Sequence, residues 1–314
     1  GWAAAVANVA FPLAAAVAVA FSSSAIAQAV PAGGAPILDE VVVSAGKLQP
    51  VPVSSTVSPG SIEQMRPATS DTASLLRNIP GVSTYSAGGV SSLPAIHGMA
   101  DDRIRIKVDG MDLIASCPNH MNSPLSYLDP SNVGNLQVFA GITPVSLGGD
   151  SIGGTIVADP RPLPFAAPGQ GLLTTGEVGA FYRSNGDAWG GNLSAALANE
   201  SFSIAYTGST ARAENYTAGG NFKTTTATGR VGHTLPLDEV GSTAYNTWSQ
   251  QLAVGFKGSG NLVEAKYTFV KTPEQLYPNQ RMDMLDNEQQ RFNLRYLGQY
   301  DWGLLEARAY YEKV

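Results

Sequence analysis

Cysteine, histidine and charge are all scarce in this sequence of 314 residues. The single cysteine excludes an internal disulfide framework and any zinc site built from several cysteines. Charged residues make up 14% of the chain, against the ~25% of an ordinary soluble domain. The net charge is −6 and lysine and arginine form no run, which argues against a nucleic-acid-binding protein. A mean hydropathy of −0.01 excludes a bundle of membrane helices but allows membrane strands of alternating polarity.

The N-terminal segment has the composition of an export signal. It carries no charge before Asp39, and an Ala/Val-rich run over 3–21 is followed by Ala25-Ile26-Ala27, an A-x-A cleavage pattern. We therefore expect residues 1–28 to be a signal peptide whose basic beginning is missing, so that the N-terminus is truncated. A single transmembrane anchor is the alternative, although the small-residue cleavage site and the Pro/Gly-rich linker that follows at 29–38 favour removal.

The remaining sequence divides into two parts that differ in charge. Acidic residues outnumber basic ones over 39–160, whereas the two nearly balance over 161–314, and the boundary between them is rich in proline. The first part predicts a small α+β domain. Its segments are a short helix over 70–77, a strand over 102–110 that ends in an Asp-Gly turn, and short strands over 136–139 and 155–157.

The second part repeats one pattern, which is about ten alternating residues followed by a turn. Over 262–270, for example, Val263 and Tyr267 share one face and Glu264 and Lys266 share the other. Seven segments follow it, at 172–182, 190–198, 201–211, 249–257, 262–270, 291–300 and 304–312. A polar face opposite an apolar and aromatic face predicts an antiparallel transmembrane β-barrel with lipid outside. A soluble β-sandwich is the alternative.

The turns of this part differ in length, which indicates an orientation. Connections at 212–247 and 272–288 are long, and counting strands places both on the same, outer side, as in outer-membrane barrels. Seven strands cannot close a barrel in lipid, because the open edge would leave backbone groups unpaired. We therefore expect a fragment that contains only the first strands of the barrel.

Five segments of the first part, taken in order, resemble the TonB-dependent outer-membrane receptors. They lie at 39–45, 75–82, 96–98, 108–110 and 147–156. The resemblance implies that 39–160 holds the TonB box and a plug domain, that the plug closes the barrel, and that the protein lies in the cell outer membrane. It also implies a periplasmic energy-transducing partner of the TonB type, which would pair with the TonB box formed by Glu40, Val41, Val42, Val43 and Ser44.

The segment 114–122 is similar to the copper-receptor branch of that family. That branch carries Cys-x-x-x-Met in a plug loop, which corresponds here to Cys117 and Met121. It pairs this motif with His-x-Met on an extracellular barrel loop, and the counterpart here is Met282-Asp283-Met284. Since Met282 replaces the histidine, the resemblance leaves the fourth ligand open.

The chemistry of these residues indicates copper independently of the resemblance to that family. Thiolate and thioether sulfurs are soft ligands that suit Cu(I). Cys117 and Met121 are four residues apart, so that one helical turn would bring both sulfurs to the same face, and an extended loop would aim Met282 and Met284 the same way. His120 is an alternative ligand. Cys117 could instead be a free thiol whose disulfide partner lies outside this sequence.

We therefore expect a transporter that imports copper, free or chelated, with Cu(I) as its favoured substrate. No organic cofactor and no catalytic site are expected, since no residue pair is placed for general acid–base work and only three histidines are present. The expected contacts are the TonB-type partner, outer-membrane lipid and the metal, and not nucleic acid. The alternatives are a receptor for an iron siderophore or other metal chelate, a secreted copper-binding or redox protein, and a purely structural barrel.

Overall fold

The computed structural model of the chain describes residues 54–86, 88–117, 120–148, 151–278 and 282–314. The predicted signal peptide, linker and TonB box, including Glu40–Ser44, lie outside these residues. Within them, a five-stranded and a two-stranded sheet form a first domain, and a seven-stranded sheet follows. No helix in these ranges is long and apolar enough to cross a membrane.

The first domain combines one α-helix with a mixed sheet. Helix α1 spans Pro59–Met65 and begins where the Ser58 hydroxyl accepts a hydrogen bond from the Ser61 N–H at 3.2 Å. The five strands lie in the order β1-β6-β7-β4-β5. Their bounds are β1 Ser54–Val57, β4 Ile104–Val108, β5 Met111–Asp112, β6 Val133–Ala140 and β7 Gly154–Pro160, while β2 Val82–Tyr85 pairs separately with β3 Leu93–Ile96.

The predicted elements of this domain are present with shifted ends. The helix expected over 70–77 is a 3₁₀-helix at Thr72–Leu76, and its cap is Asp71, whose carboxylate accepts from the Ala73 N–H. Strand β4 begins two residues later than expected, because residues 101–103 form a 3₁₀ turn. It ends at Asp109-Gly110, where both residues have positive φ, as a tight hairpin turn requires.

The second domain is an antiparallel sheet in which the strands follow sequence order. The strands are β8 Leu173–Arg183, β9 Ala188–Ala198, β10 Phe202–Ala213, β11 Tyr245–Gly258, β12 Asn261–Gln275, β13 Met284–Tyr300 and β14 Gly303–Lys313. Each predicted segment is therefore a strand, and the fold class of a plug followed by the first strands of a barrel is confirmed.

One predicted connection is wrong. The segment 272–288 was expected to be a long loop, but β12 and β13 remain paired as far as Gln275 and Met284, so that the connection is only 276–283. Apolar alternation disappears in this stretch because strands that extend beyond lipid have water on both sides. Pairing nevertheless continues, and Lys271 on β12 forms ion pairs with Asp286 and Glu288 on β13.

The faces of the sheet have the polarity of a membrane barrel. On β12, Glu264, Lys266 and Thr268 are buried, whereas Val263 and Tyr267 are exposed. A soluble sandwich would do the reverse and bury its apolar face. The polar face contacts the first domain, as shown by the Lys266 ammonium, which lies 2.7 Å from the Asp109 carboxylate.

Candidate metal centre

The loop after β5 carries the predicted Cys-x-x-x-Met pair and is fixed from within. The Ser116 N–H and the Asn122 side-chain amide donate to the Tyr127 hydroxyl at 3.1 and 3.0 Å. The Asn122 side-chain oxygen Oδ1 accepts from the Cys117 N–H at 3.2 Å. Asn122 and Tyr127 are buried, so these bonds are shielded from competition by water.

A tight turn brings the two sulfur residues of this loop together. The His120 N–H donates to the Cys117 carbonyl oxygen at 3.1 Å, and His120 has a positive φ of 53°. Cys117 and Met121 consequently contact the same group of side chains. The sequence predicted one helical turn here; the described part of the loop closes with a hydrogen bond between residues three apart.

Cys117, Met121, Tyr277 and Met284 pack together, and we refer to these four residues as the sulfur cluster. The first two belong to the loop after β5, and the other two to the connection and strand at the end of the β12–β13 hairpin. Met121 and Tyr277 are only 5% and 1% exposed. The Ser116 hydroxyl donates to Met284 Sδ at 3.2 Å, and the Tyr277 hydroxyl lies 4.0 Å from the same sulfur.

Tyr277 was missed by sequence reasoning. Its N–H donates to the Asp283 carboxylate at 3.0 Å, which links the two ends of the connection beside the cluster. Burial raises the pKa of the Tyr277 phenol, and the neighbouring Cys117 raises it further. No motif marks this tyrosine, and the available signal was only an aromatic residue in an outer connection.

Met282 and His120, the other predicted ligands, are both more exposed than the buried members of the sulfur cluster. Met282 precedes β13, so no strand alternation aligns it with Met284, and it is 48% exposed. The His120 imidazole is half exposed, with Nε2 3.9 Å from the Asp102 carboxylate. It lines, together with Cys117, an open cleft of about 410 Å³. No group of three His, Cys, Asp or Glu residues that could hold a metal occurs in the described ranges.

Hydrogen bonds tie the cysteine loop to the wall of the barrel. The buried Arg291 guanidinium donates to the Tyr127 carbonyl oxygen at 3.1 Å, and the Ile114 N–H donates to the Glu312 carboxylate at 3.0 Å. The other oxygen of Glu312 accepts from the Gln289 side-chain amide at 2.5 Å. The sulfur cluster therefore lies where the loop of one domain and the outer end of the other are held together.

The comparisons with known proteins agree with this two-domain architecture. Residues 47–155 match the family model of the TonB-dependent receptor plug domain. These residues are a TonB-dependent receptor plug domain, and the described chain has the fold of that class of receptors, as predicted. No curated protein matches the sequence at a significant level.

Three solved structures illustrate the likeness. The copper transporter OprC superposes with a TM-score of 0.67 and 25% identity, over 83% of this chain and 37% of that one. The hemophore receptor HasR of Serratia marcescens was solved with its hemophore and heme. It superposes with a TM-score of 0.65 and 21% identity, over 83% of this chain and 37% of that one. The iron transporter FrpB of Neisseria meningitidis superposes with a TM-score of 0.63 and 16% identity, over 82% of this chain and 40% of that one.

These matches concern the length of the chain, its fold and its location. The chain spans less than half the length of each of these three proteins, all of which are receptors or transporters. HasR and FrpB, at 21% and 16% identity, establish the fold alone. The predicted location in the cell outer membrane is confirmed by the shared plug and barrel fold.

Proposed function

We propose that the protein carrying this chain imports copper across the outer membrane and binds it as Cu(I) at the sulfur cluster. One observation carries the proposal: Cys117 and Met121 of the loop after β5 and Met284 of strand β13 belong to one packed cluster. Soft thiolate and thioether ligands favour Cu(I) over ions that prefer oxygen. The Cys117 thiolate is the only anionic ligand and neutralises the cation.

The position of the cluster suits uptake from outside. It lies at the end of the sheet where the connections are long, 214–244 and 276–283, whereas the opposite end has short turns such as 259–260 and 301–302. Outer-membrane barrels direct their long loops outward. Copper would thus meet the cluster before it meets the body of the plug.

Energy for transport would come from a TonB-type periplasmic protein. The predicted TonB box, Glu40–Ser44, would add as a strand to that partner and pull on the plug. Because the cysteine loop is bonded to β13 and β14, such a pull would separate Cys117 and Met121 from Met284 and release the metal inward. The likeness to the copper transporter OprC supports the same substrate.

Copper content of the purified full-length protein tests this function. We expect one copper in the parent and loss of it in Cys117→Ser, which removes the thiolate at nearly constant volume. Met121→Ala should also lose copper. Met282→Ala is the matched control, since Met282 is exposed outside the cluster, and it should weaken binding much less than Cys117→Ala.

Three results would contradict the proposal. An unchanged copper content in the combined Cys117→Ser and Met121→Ala variant would remove the site. Copper loss in His120→Ala alone would move it to histidine. Iron chelate in place of copper in the parent would identify a siderophore receptor, the alternative substrate class.

A further inference from the structure

Strand β13 changes the face that its side chains present near the outer end of the β12–β13 hairpin. Along the barrel wall its alternate residues face inward, and Gln289, Arg291 and Asn293 are all buried. Continuing this alternation would turn Leu285 inward and Met284 outward. The opposite is observed, since Leu285 is 68% exposed whereas Met284 packs with the sulfur cluster.

Strand β12 changes face at the same level. Thr272 is buried, and the next buried residue is Gln275, three positions further on instead of two. Between its pairs with Asn246 and Trp248 of the neighbouring strand, β12 contains one more residue than β11. Such an extra residue is a β-bulge, a feature that re-aims side chains next to functional sites.

Strand β13 contains a matching irregularity at Asp286. This residue lies opposite Pro273 of β12, between regular pairs on either side, so that the two strands stay in register while both change face. Asp286 has a positive φ of 62°, which few residues other than glycine adopt and which aspartate tolerates better than most. Proline has no N–H to donate to a ladder and is tolerated at bulges.

The conformation of Asp286 is supported from the facing strand and bears directly on the cluster. The Asp286 carboxylate lies 2.7 Å from Lys271 Nζ on β12. Beyond the reversal, Met284 Sδ accepts from the Ser116 hydroxyl of the cysteine loop at 3.2 Å. With unbroken alternation, Leu285 would point inward in place of this sulfur.

We propose that Asp286, with Pro273 opposite it, is the positioning element that turns Met284 into the metal site. This inference rests on the proposed function and refines it. Asp286 supplies no ligand atom, and it acts through the direction that its left-handed backbone gives to the end of β13. The backbone conformation of residue 286 matters more than its charge.

The first test is the Cu(I) affinity of the purified full-length protein, measured by competition with a Cu(I) chelator. Asp286→Gly keeps the left-handed conformation at no steric cost and should stay within about threefold of the parent. Asp286→Val places a β-branched residue where φ is positive and should weaken binding by about tenfold or more. Glu288→Val is the matched control, because Glu288 pairs with the same Lys271 from a regular position of the ladder.

The second test removes the irregularity from both strands. A shortened hairpin that lacks Pro273 and Asp286 has unbroken alternation, so that Met284 turns outward, and its Cu(I) affinity should fall by about tenfold or more. Adding Leu285→Met to the shortened hairpin should restore the affinity to within about threefold of the parent. The same substitution in the parent should change nothing, since Leu285 is exposed there.

Cysteine labelling gives a readout that does not depend on copper. Met284→Cys and Leu285→Cys are each made in the Cys117→Ser background and treated with a water-soluble maleimide, with that background alone as the blank. Position 285 should react faster than position 284 in the parent hairpin, because Leu285 is exposed and Met284 is packed. The order should reverse in the shortened hairpin and in Asp286→Val.

The outcomes separate this inference from the proposed function. Retention of copper by Cys117→Ser overturns the proposed function, and the order of labelling then still decides whether Asp286 sets the face of Met284. An unchanged order of labelling in Asp286→Val overturns this inference whatever the copper result. Copper loss by Cys117→Ser, combined with equal affinity of the shortened hairpin with and without Leu285→Met, overturns the role of Asp286 alone.

Discussion

Asn122 shows how a single residue can prepare a site without belonging to its ligand set. Its amide joins the Cys117 N–H to the Tyr127 hydroxyl, and it is 2% exposed. Tyr127 in turn is bonded through its carbonyl oxygen to Arg291 of the barrel. The geometry of the proposed thiolate ligand therefore depends on a buried side chain five residues further along the chain.

We expect Asn122→Ala to weaken Cu(I) binding by about tenfold, because the Cys117 N–H and the buried Tyr127 hydroxyl lose partners worth about 1–3 kcal/mol. The measurement is a competition titration with a Cu(I) chelator. Asn135→Ala is the control, since Asn135 lies on strand β6, outside the cysteine loop. Equal affinity in the parent and Asn122→Ala would show that the loop holds its shape without this amide.

At the scale of elements, the β4–β5 turn docks on strand β12 through charge. The Asp109 carboxylate lies 2.7 Å from Lys266 and accepts from the Asn293 amide at 2.9 Å. The pair is nearly buried, so that its two charges stabilise each other where water does not. Asp112, in contrast, pairs within the plug with Arg105 and Lys107.

Lys266→Met should lower the Tm of the full-length protein, because Asp109 would remain as a buried charge, a loss of about 3–5 kcal/mol. The combined variant Asp109→Asn with Lys266→Met should recover much of this loss, since neither charge remains. Thermal unfolding followed by circular dichroism makes the comparison. A combined variant that is less stable than Lys266→Met would contradict the argument.

The TonB box at Glu40–Ser44 stays a prediction at this scale. An added strand binds through main-chain hydrogen bonds, and proline removes one donor. Val42→Pro should therefore abolish copper uptake by cells while copper binding to the purified protein is unchanged, with Val42→Ala as the control. Normal uptake by Val42→Pro would place the energy-coupling segment elsewhere.

For the whole molecule, the polarity of the sheet dictates the environment. On β12, Val263 and Tyr267 are exposed, whereas Glu264 and Lys266 on the opposite face are buried. The full-length protein should accordingly fractionate with the outer membrane and change its gel mobility on heating, as a folded barrel does. Recovery in the soluble periplasmic fraction would contradict this expectation.

The sequence by itself determined the strands, their faces and the Cys117–Met121 pair. These features are local: alternation sets which side chains share a face, and a spacing of four residues brings two sulfurs together across one turn. Residues on the strands of β12 and β13 could therefore be assigned to lipid or lumen without any knowledge of their partners.

Only the tertiary structure decided which distant residues these local features contact. Asp109 was assigned to a hairpin turn, but its partner Lys266 lies 157 residues away along the chain. Met284 packs with Cys117 and Met121, which precede it by more than 160 residues, and the buried Tyr277 completes the cluster. Pairing over such distances depends on how two domains dock, and short-range periodicity carries no information about that packing.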